Sequence, residues 1–272
     1  MNTIIDILNT PSGDCEFVSF EVAGYQWMAI NGGPYFEFND SISFLINFDP
    51  KLDKNAVENL DQLWIELSDD GEILLPLQEY SLSHRFGRVK DRYGLTWQLN
   101  LVNPRDQERP FIVPSLAFTN NVYGKAKEAS DYYLSIFNNK KSGKSLPYPS
   151  DIVSDNGEAS MFTDFQIENQ LFVALDRLGP LADSFNEAIS FLVRCQNQEE
   201  IDYYWEKLSH YPESEQCGWL KDKYGVSWQI WPAVIEEMRK NGTDEQNKRL
   251  TQATLQMKKL DIQRLKKAYE EP

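Results

Sequence analysis

The sequence predicts an α+β protein made of two tandem copies of one small unit, followed by helices. Three observations support this fold class. Residues 87–99 (GRVKDRYGLTWQL) recur as residues 218–230 (GWLKDKYGVSWQI), at an offset of 218 − 87 = 131. Strand-like alternation and helix-like spacing follow one another in the same order in both copies. The C-terminal stretch is helical in pattern and has no counterpart in the first copy.

The composition excludes several classes of protein. Apolar residues make up 41% and aromatic residues 13% of the 272 residues, which excludes disorder for most of the chain. The formal net charge of −15 repels phosphate backbones and anionic lipids, so we expect neither a nucleic-acid nor a membrane partner. The first residues lack the zones of a signal peptide, and no apolar run is long enough to cross a bilayer. We therefore expect a cytoplasmic protein.

Cysteine and histidine usage argues against metal and triad chemistry. The three cysteines, Cys15, Cys195 and Cys217, have no CxxC spacing, so we expect reduced thiols and neither a disulfide framework nor a zinc knuckle. The chain has two histidines, His84 and His210. This scarcity is unfavourable for His-based metal sites and for Ser-His-Asp catalysis.

The repeat extends upstream of the motif that defines it. Further matching segments are 20–31 with 165–176, 41–45 with 188–192, and 60–64 with 201–205. The offset changes between segments, as insertions in surface loops would produce. We predict a first domain at 1–104, a second domain at 110–232 and a C-terminal helical tail at 233–272.

Periodicity predicts the elements of the second copy. In chain order they are a strand at 111–119, a helix at 124–137, a hairpin at 162–175 that turns at Glu168-Asn169, a strand at 188–195, a helix at 199–209, and strands at 217–220 and 226–231. This order is typical of one βαβββ module followed by another. The first copy lacks the opening strand and helix, and begins with a strand at 3–8.

The tail is predicted to be helical at 232–240 and 244–269. Thr243, with Gln246 three residues later, forms a capping-box pattern. One face of the tail carries an apolar stripe made of Leu250, Ala253, Met257, Leu260 and Leu265. Such a stripe needs a partner surface, which is either the sheet domains or a second chain in a homodimer.

The repeated motif and a helix segment resemble a known family. The runs KDRYGLTWQ and KDKYGVSWQ, together with KAKEASDYYLSIF at 125–137, resemble the PhnB-like branch of the vicinal oxygen chelate (glyoxalase, bleomycin-resistance and dioxygenase) superfamily. Its members often carry the name 3-demethylubiquinone-9 3-methyltransferase. The resemblance covers residues 1–235. It implies paired βαβββ modules whose curved mixed sheets surround a cup-shaped pocket.

Enzymes of that superfamily hold a metal with residues on the first and last strands of each module. Mapped by strand position, these sites fall near Val113, Ala174, Ala188 and Gln229 in the second copy, and near Ala29, Ser41 and Gln98 in the first. Apolar and amide side chains do not replace imidazole, carboxylate or thiolate ligands. We therefore expect no metal. The methyltransferase name implies S-adenosylmethionine, but the chain has no glycine-rich strand-to-helix turn of the doubly wound type, so we expect no cofactor.

Five residues are candidates for ligand binding: Gln98, Gln229, Ser41, Asp176 and Arg85. By the superfamily pattern the two glutamines face the pocket, and the alternative is that each is a satisfied polar group of the core. Ser41 occupies a mapped position, and Asp176 lies two residues beyond another. Arg85 follows His84 in a predicted loop, where it would grip an anionic ligand at the pocket mouth. No residue is assigned a catalytic role.

The motif residues beside these candidates have structural interpretations. The tryptophans Trp97 and Trp228 are expected to pack in the core, because strand neighbours alternate between faces. The aspartates Asp91 and Asp222 are expected to cap the backbone of a tight turn.

The function expected from the sequence is metal-independent binding of a small organic molecule in the cup-shaped pocket. The alternatives are a glyoxalase-like or dioxygenase-like enzyme and a degenerate structural or regulatory domain. The sequence leaves open whether any reaction is catalysed and which ligand is bound.

Overall fold

The computed structural model describes residues 3–9, 15–80, 83–149, 152, 159–178 and 184–271. The chain divides into two compact units, residues 1–184 and residues 185–272. The second sequence copy contributes strands to both units, so the sequence repeat and the compact units are different divisions of the chain. Within the described residues, no helix is long and apolar enough to span a membrane.

The first unit begins with a small antiparallel sheet. Its strands, in the order β1-β2-β3, are β1 (Thr3–Asn9), β2 (Cys15–Val22) and β3 (Tyr25–Ile30). The turn between β2 and β3 has positive φ angles at Ala23 and Gly24. The indole of Trp27 on β3 packs edge-on against Phe44, with ring centroids 4.6 Å apart. This contact joins the small sheet to the larger sheet of the same unit.

An eight-stranded sheet forms the rest of the first unit. Its elements are β4 (Ile42–Phe48), α1 (Ala56–Ser68), β5 (Glu72–Tyr80), β6 (Ser83–Lys90), β7 (Thr96–Leu101), β8 (Ile112–Phe118), α2 (Ala126–Ile136), β9 (Lys140–Pro147), β10 (Ser160–Ile167) and β11 (Gln170–Asp176). The strand order is β5-β6-β7-β4-β8-β11-β10-β9. Two βαβββ modules therefore meet at the antiparallel β4–β8 pair in the centre. The first module belongs to the first sequence copy and the second module to the second.

Both helices cover the same face of this sheet. Alternation along β4 places Ile46 and Phe48 on the face against α1, where they pack with Leu60. Across the sheet, Tyr133 of α2 stacks on Phe165 of β10, with ring centroids 5.8 Å apart. The strand registers put these apolar side chains on one face of the sheet. We call it the helix face.

The second unit contains one three-stranded sheet and four helices. Its elements are β12 (Ser190–Cys195), α3 (Gln198–Leu208), β13 (Trp219–Lys221), β14 (Ser227–Pro232), α4 (Val234–Asn241), α5 (Asp244–Leu255) and α6 (Ile262–Glu270). The strand order is β12-β14-β13. Between α3 and β13 the described chain forms a short 3-10 turn at Pro212–Ser214. This module is therefore βαββ in the part of the chain described.

The two copies share their strand order and register, as the repeat predicts. The parallel pair β4·β7 aligns Leu45 with Gln98, and the parallel pair β12·β14 aligns Leu192 with Gln229. The antiparallel pairs β6·β7 and β13·β14 correspond as well. The predicted hairpin turn at Glu168-Asn169 is confirmed, because both residues have positive φ between β10 and β11.

The helical tail packs within the second unit. The stripe residues Leu250, Met257, Leu260 and Leu265 are buried in one cluster with Ile235 and Met238 of α4. The capping box of Thr243 and Gln246 is present at the start of α5. The tail forms two helices where the sequence predicts one at 244–269, because the chain leaves helical geometry between α5 and α6, where Met257 and Lys258 accept hydrogen bonds from the backbone of Cys217 and Gly218.

Candidate ligand-binding site

The repeated motif forms the same hydrogen-bonded turn in both copies. In the first copy, Oδ1 of Asp91 accepts from the backbone N–H groups of Tyr93 and Leu95, and Oδ2 accepts from the indole of Trp97 at 2.9 Å. The turn ends at Gly94, whose φ of +91° is costly for residues with a Cβ.

In the second copy Asp222 repeats all three bonds, with the backbone of Tyr224 and Val226 and with the indole of Trp228. Both aspartates therefore cap the backbone of the turn, as expected. The tryptophan is thereby fixed on one face of the last strand and its glutamine neighbour on the other.

The glutamine of each motif bonds to a serine on the neighbouring parallel strand. Nε2 of Gln98 donates to Oγ of Ser43 at 2.8 Å, and Nε2 of Gln229 donates to Oγ of Ser190 at 2.9 Å. Each glutamine lies on the strand face opposite its tryptophan. The two glutamines belong to different units, so the structure describes two separate Gln–Ser pairs.

The face of the eight-stranded sheet opposite α1 and α2 carries a row of polar side chains. Strand register places Arg88 beside Gln98 and Ser43 opposite Ser115. Asp164 of β10 lies on the same face, one strand beyond Ser115, with β11 between them. We call this face, defined by those five residues, the polar face. The five residues come from five strands between β6 and β10, and β11 places Val173 between Ser115 and Asp164.

Two arginines converge on one carboxylate at the rim of the polar face. Asp40, just before β4, accepts from Nη2 of Arg88 at 2.7 and 2.8 Å and from Nη1 of Arg177 at 2.6 Å. All three side chains are less than one fifth exposed. Nε of Arg88 is buried and meets no acceptor. The cluster carries one more positive than negative charge.

An opening lies beside this cluster. Its volume is about 310 Å³, and its lining includes Asn120, Tyr123, Arg177 and Leu178. These residues follow β8 and β11, which end at the same edge of the sheet at which β4 begins. Arg177 therefore both lines the opening and bonds to Asp40.

The structure groups some of the predicted site residues and separates others. Gln98 lies on the polar face, and Ser41 lies at its rim, where its hydroxyl donates to Oδ1 of Asn39 at 2.6 Å. Gln229 belongs to the second unit. Arg85 lies on β6 rather than in a loop, and its Nε donates to Asp61 of α1 at 2.6 Å. The predicted loop at Arg85 is wrong, because Arg85 lies within strand β6. Residues 85 and 88 point to opposite faces of that strand, and a role of Arg85 in gripping an anionic ligand stays a prediction.

Asp176 supports a helix and does not face the polar row. Its carboxylate accepts from the backbone N–H of Ser160 at 2.7 Å and of Ala126 at 3.2 Å, at the start of α2. Burial raises the pKa of Asp176, and hydrogen bonds from the backbone partly offset this. A carboxylate at a helix N-terminus is stabilised by the unpaired N–H groups there.

The sequence analysis missed Arg88, as it missed Asp40 and Arg177. Arg88 and Trp219 occupy the same position of the repeat, which made the position look variable. The alternation of side chains along the hairpin could have identified Arg88, because the register of β6 and β7 places it opposite Gln98 and therefore on the same face.

The positions mapped for a metal do not carry metal ligands. Val113 lies on the polar face, whereas Ala174 points to the helix face and its neighbour Val173 takes the polar side. Ala188 and Gln229 belong to the second unit. Within the described residues, no three His, Cys, Asp or Glu side chains are grouped so that they could hold a metal ion. Hydroxyl, amide and apolar groups do not fit the divalent site of the superfamily.

Comparison with known proteins assigns the family. A family model described as 3-demethylubiquinone-9 3-methyltransferase matches residues 2–100 and 110–231. The chain belongs to this family. A putative 3-demethylubiquinone-9 3-methyltransferase, a PhnB protein from Bacillus cereus, is 27% identical over 38% of this chain and 81% of its own, with a TM-score of 0.34. A search of curated proteins finds no match.

Solved structures that cover most of the chain share its fold. A single-residue mutant of glyoxalase I from Zea mays is 11% identical over 87% of this chain and 86% of its own, with a TM-score of 0.51. A second mutant of the same enzyme is 9% identical over 86% and 85%, with a TM-score of 0.50. These similarities show the vicinal oxygen chelate fold and carry no information on activity.

The family name implies S-adenosylmethionine, and the described chain does not fit that cofactor in the usual way. The sheets are mixed, with three parallel pairs among antiparallel ones, and not doubly wound. The strand-to-helix turn before α2 contains a single glycine, Gly124. The carboxylate of Asp176 already occupies the helix N-terminus that follows it. We derive no methyl-transfer step.

Proposed function

We propose that this member of the family binds a small organic molecule on the polar face of the eight-stranded sheet, without a metal ion. The observation that carries the proposal is the polar row itself. Amide and hydroxyl groups lie on the central strands β7, β4 and β8, and a guanidinium lies beside them on β6. Such groups orient carbonyl and hydroxyl functions of an organic ligand by hydrogen bonding.

Gln98 is the residue we assign to ligand orientation. Its Nε2 donates to Ser43, so its carbonyl oxygen is held in a fixed direction while the side chain remains half-buried. Ser41, at the rim, helps to shape the same face through its bond to Asn39. A side chain held by a neighbour loses little conformational freedom when a ligand binds.

A ligand screen by thermal unfolding tests the proposal. With EDTA present throughout, we expect at least one neutral or charged organic compound to raise the melting temperature. Ligand at about 100 times its Kd adds about 2.7 kcal/mol of stability. Gln98→Leu should remove that shift, whereas Gln229→Leu, which breaks the equivalent bond in the second unit, should leave it unchanged. Stoichiometric zinc, iron or manganese in protein purified without added metal, or ligand binding that EDTA abolishes, would overturn the proposal.

We also propose that the chain forms a homodimer. Met28 and Ile30 on β3 are more than two fifths exposed, while the apolar stripe of the C-terminal tail is already buried inside its own unit. Light scattering should give twice the mass of one chain, and Met28→Lys combined with Ile30→Lys should give the mass of one. A wild-type mass of one chain contradicts the dimer.

A further inference from the structure

The opening beside Asp40 has the chemistry of an anion site. We propose that it binds a carboxylate or phosphate group of the small organic ligand, with the guanidinium of Arg177 as the donor. This inference rests on the proposed function, and it adds the chemical class of the ligand and the residue that selects it. Arginine presents a planar fork of N–H groups that matches both kinds of anion.

The donor capacity of Arg177 is only partly used. A guanidinium has five N–H groups. Asp40 is the acceptor that the Arg177 side chain contacts within the described chain, through Nη1 at 2.6 Å. Arg177 also lines the opening, together with Asn120 and Tyr123. An anionic group in the opening would therefore lie beside a guanidinium that still has N–H groups to donate.

Arg88 holds this arrangement in place. Its Nη2 contacts both oxygens of Asp40, so the carboxylate that orients Arg177 is itself fixed from the other side. Two guanidinium groups against one carboxylate leave one net positive charge in a chain of net charge −15. A local excess of this sign attracts an anion at short range despite the overall charge, because salt screens the more distant acidic residues. Arg88 acts here as a positioning residue.

The second sequence copy shows that this cluster is not required by the fold. The position of Asp40 corresponds to Glu187, which pairs with Lys221 at 2.7 Å. The position of Arg88 corresponds to Trp219. The strand order β6-β7-β4 thus recurs as β13-β14-β12 with a tryptophan at the position of Arg88 and with Lys221 as the partner of the acidic residue. The cluster in the first unit is an addition to the repeat, as expected of a binding function.

The test compares three probes of one shape. Benzoate and phenyl phosphate carry an anion on an aromatic ring, and benzamide is the neutral counterpart of benzoate. Binding is measured by ligand-observed NMR and titration calorimetry at low and high salt. We expect at least one anion to bind at least ten times more tightly than benzamide, with affinity that falls as salt rises. Comparison of the two anions distinguishes a carboxylate from a phosphate preference.

Variants assign the effect to Arg177. Arg177→Gln should lower the affinity for the anion at least tenfold and leave benzamide unchanged, and Arg177→Lys should retain part of it. Arg88→Gln should give a smaller loss, because it loosens Asp40 without removing the donor. Arg194→Gln is the control, since Arg194 is an exposed arginine of β12 that pairs with Glu236. Circular dichroism establishes that each variant is folded.

The outcomes separate the two proposals. Equal affinity for benzoate and benzamide, or anion binding unchanged in Arg177→Gln, overturns the anion site and leaves metal-independent binding standing. Failure of all three probes, while another compound from the ligand screen binds, also overturns the anion site. A chain that binds neither these probes nor any screened compound overturns both proposals.

Discussion

Replacing the turn aspartate of each copy tests how burial affects the stability that the hydrogen bonds of this turn contribute. Asp91 and Asp222 make the same three bonds, to two backbone N–H groups and one indole. They differ in burial: Asp222 is 0% exposed, whereas Asp91 is partly exposed. Asp222→Ala and Asp91→Ala are thus a matched pair within one chain.

The expected cost follows from the donors left behind. Each buried donor without a partner costs about 1–3 kcal/mol. Asp222→Ala leaves three buried donors, on Tyr224, Val226 and Trp228, without an acceptor. We therefore expect the free energy of unfolding to fall by about 4 kcal/mol. In Asp91→Ala water reaches the exposed N–H of Tyr93, and we expect a loss of about 1–2 kcal/mol. Asp222→Asn should fall between, because an amide accepts with one oxygen only.

Native-state hydrogen exchange and urea unfolding measure these losses. Exchange reports on each unit separately, through the amides of Tyr224 and Val226 in one and of Leu95 in the other. Urea unfolding followed by tryptophan fluorescence gives the global change. Equal losses for the two alanine variants, or a loss below about 1 kcal/mol for Asp222→Ala, would refute the argument that burial decides the strength.

Three further predictions concern packing, capping and pH. Gly87→Ala would place a Cβ 2.6 Å from the ring of Trp64, so urea unfolding should show a loss of about 2 kcal/mol, and an unchanged midpoint would contradict the packing. Thr243→Ala removes the bond to the N–H of Gln246 and should weaken the first turn of α5 by about 1 kcal/mol in hydrogen exchange, an effect absent if the capping box does not form in solution. Burial raises the pKa of the Cys195 thiol from 9.0 to about 12. The folded state then keeps a proton that the unfolded chain releases, so the free energy of unfolding should fall as pH rises from 9 toward 12. Cys195→Ala should reduce that slope, and an identical slope in both proteins would be the contrary result.

Local sequence patterns were sufficient to predict those features that lie within a single helix, turn or strand. The span of α2 was predicted to within two residues because its apolar face has helical spacing. The capping box at Thr243 and the positive φ at Asn169 were readable from residue type alone. The alternation of Trp97 and Gln98 followed from the two-residue period of a strand.

Other features were out of reach of such patterns. Strand β9 (Lys140–Pro147) is exposed throughout, so it has no apolar alternation to reveal it. The side chain of Arg85 could be placed only once β6 was known to be a strand and its register was fixed. The cluster of Asp40, Arg88 and Arg177 joins residues distant in sequence, and no periodicity links them.

The central strand pair of the large sheet joins modules from different sequence copies. In the second module of the large sheet, β8 lies between β11 of its own copy and β4 of the first copy. Without β8, the edge of β4 opposite β7 would leave a row of unpaired N–H and C=O groups. Pairing with β8 removes that edge and aligns Ser43 with Ser115 at the centre of the polar face. The sequence repeat alone suggests that each copy closes on itself. The unsatisfied backbone of β4 explains why the sheet, and with it the candidate site, is built from both copies.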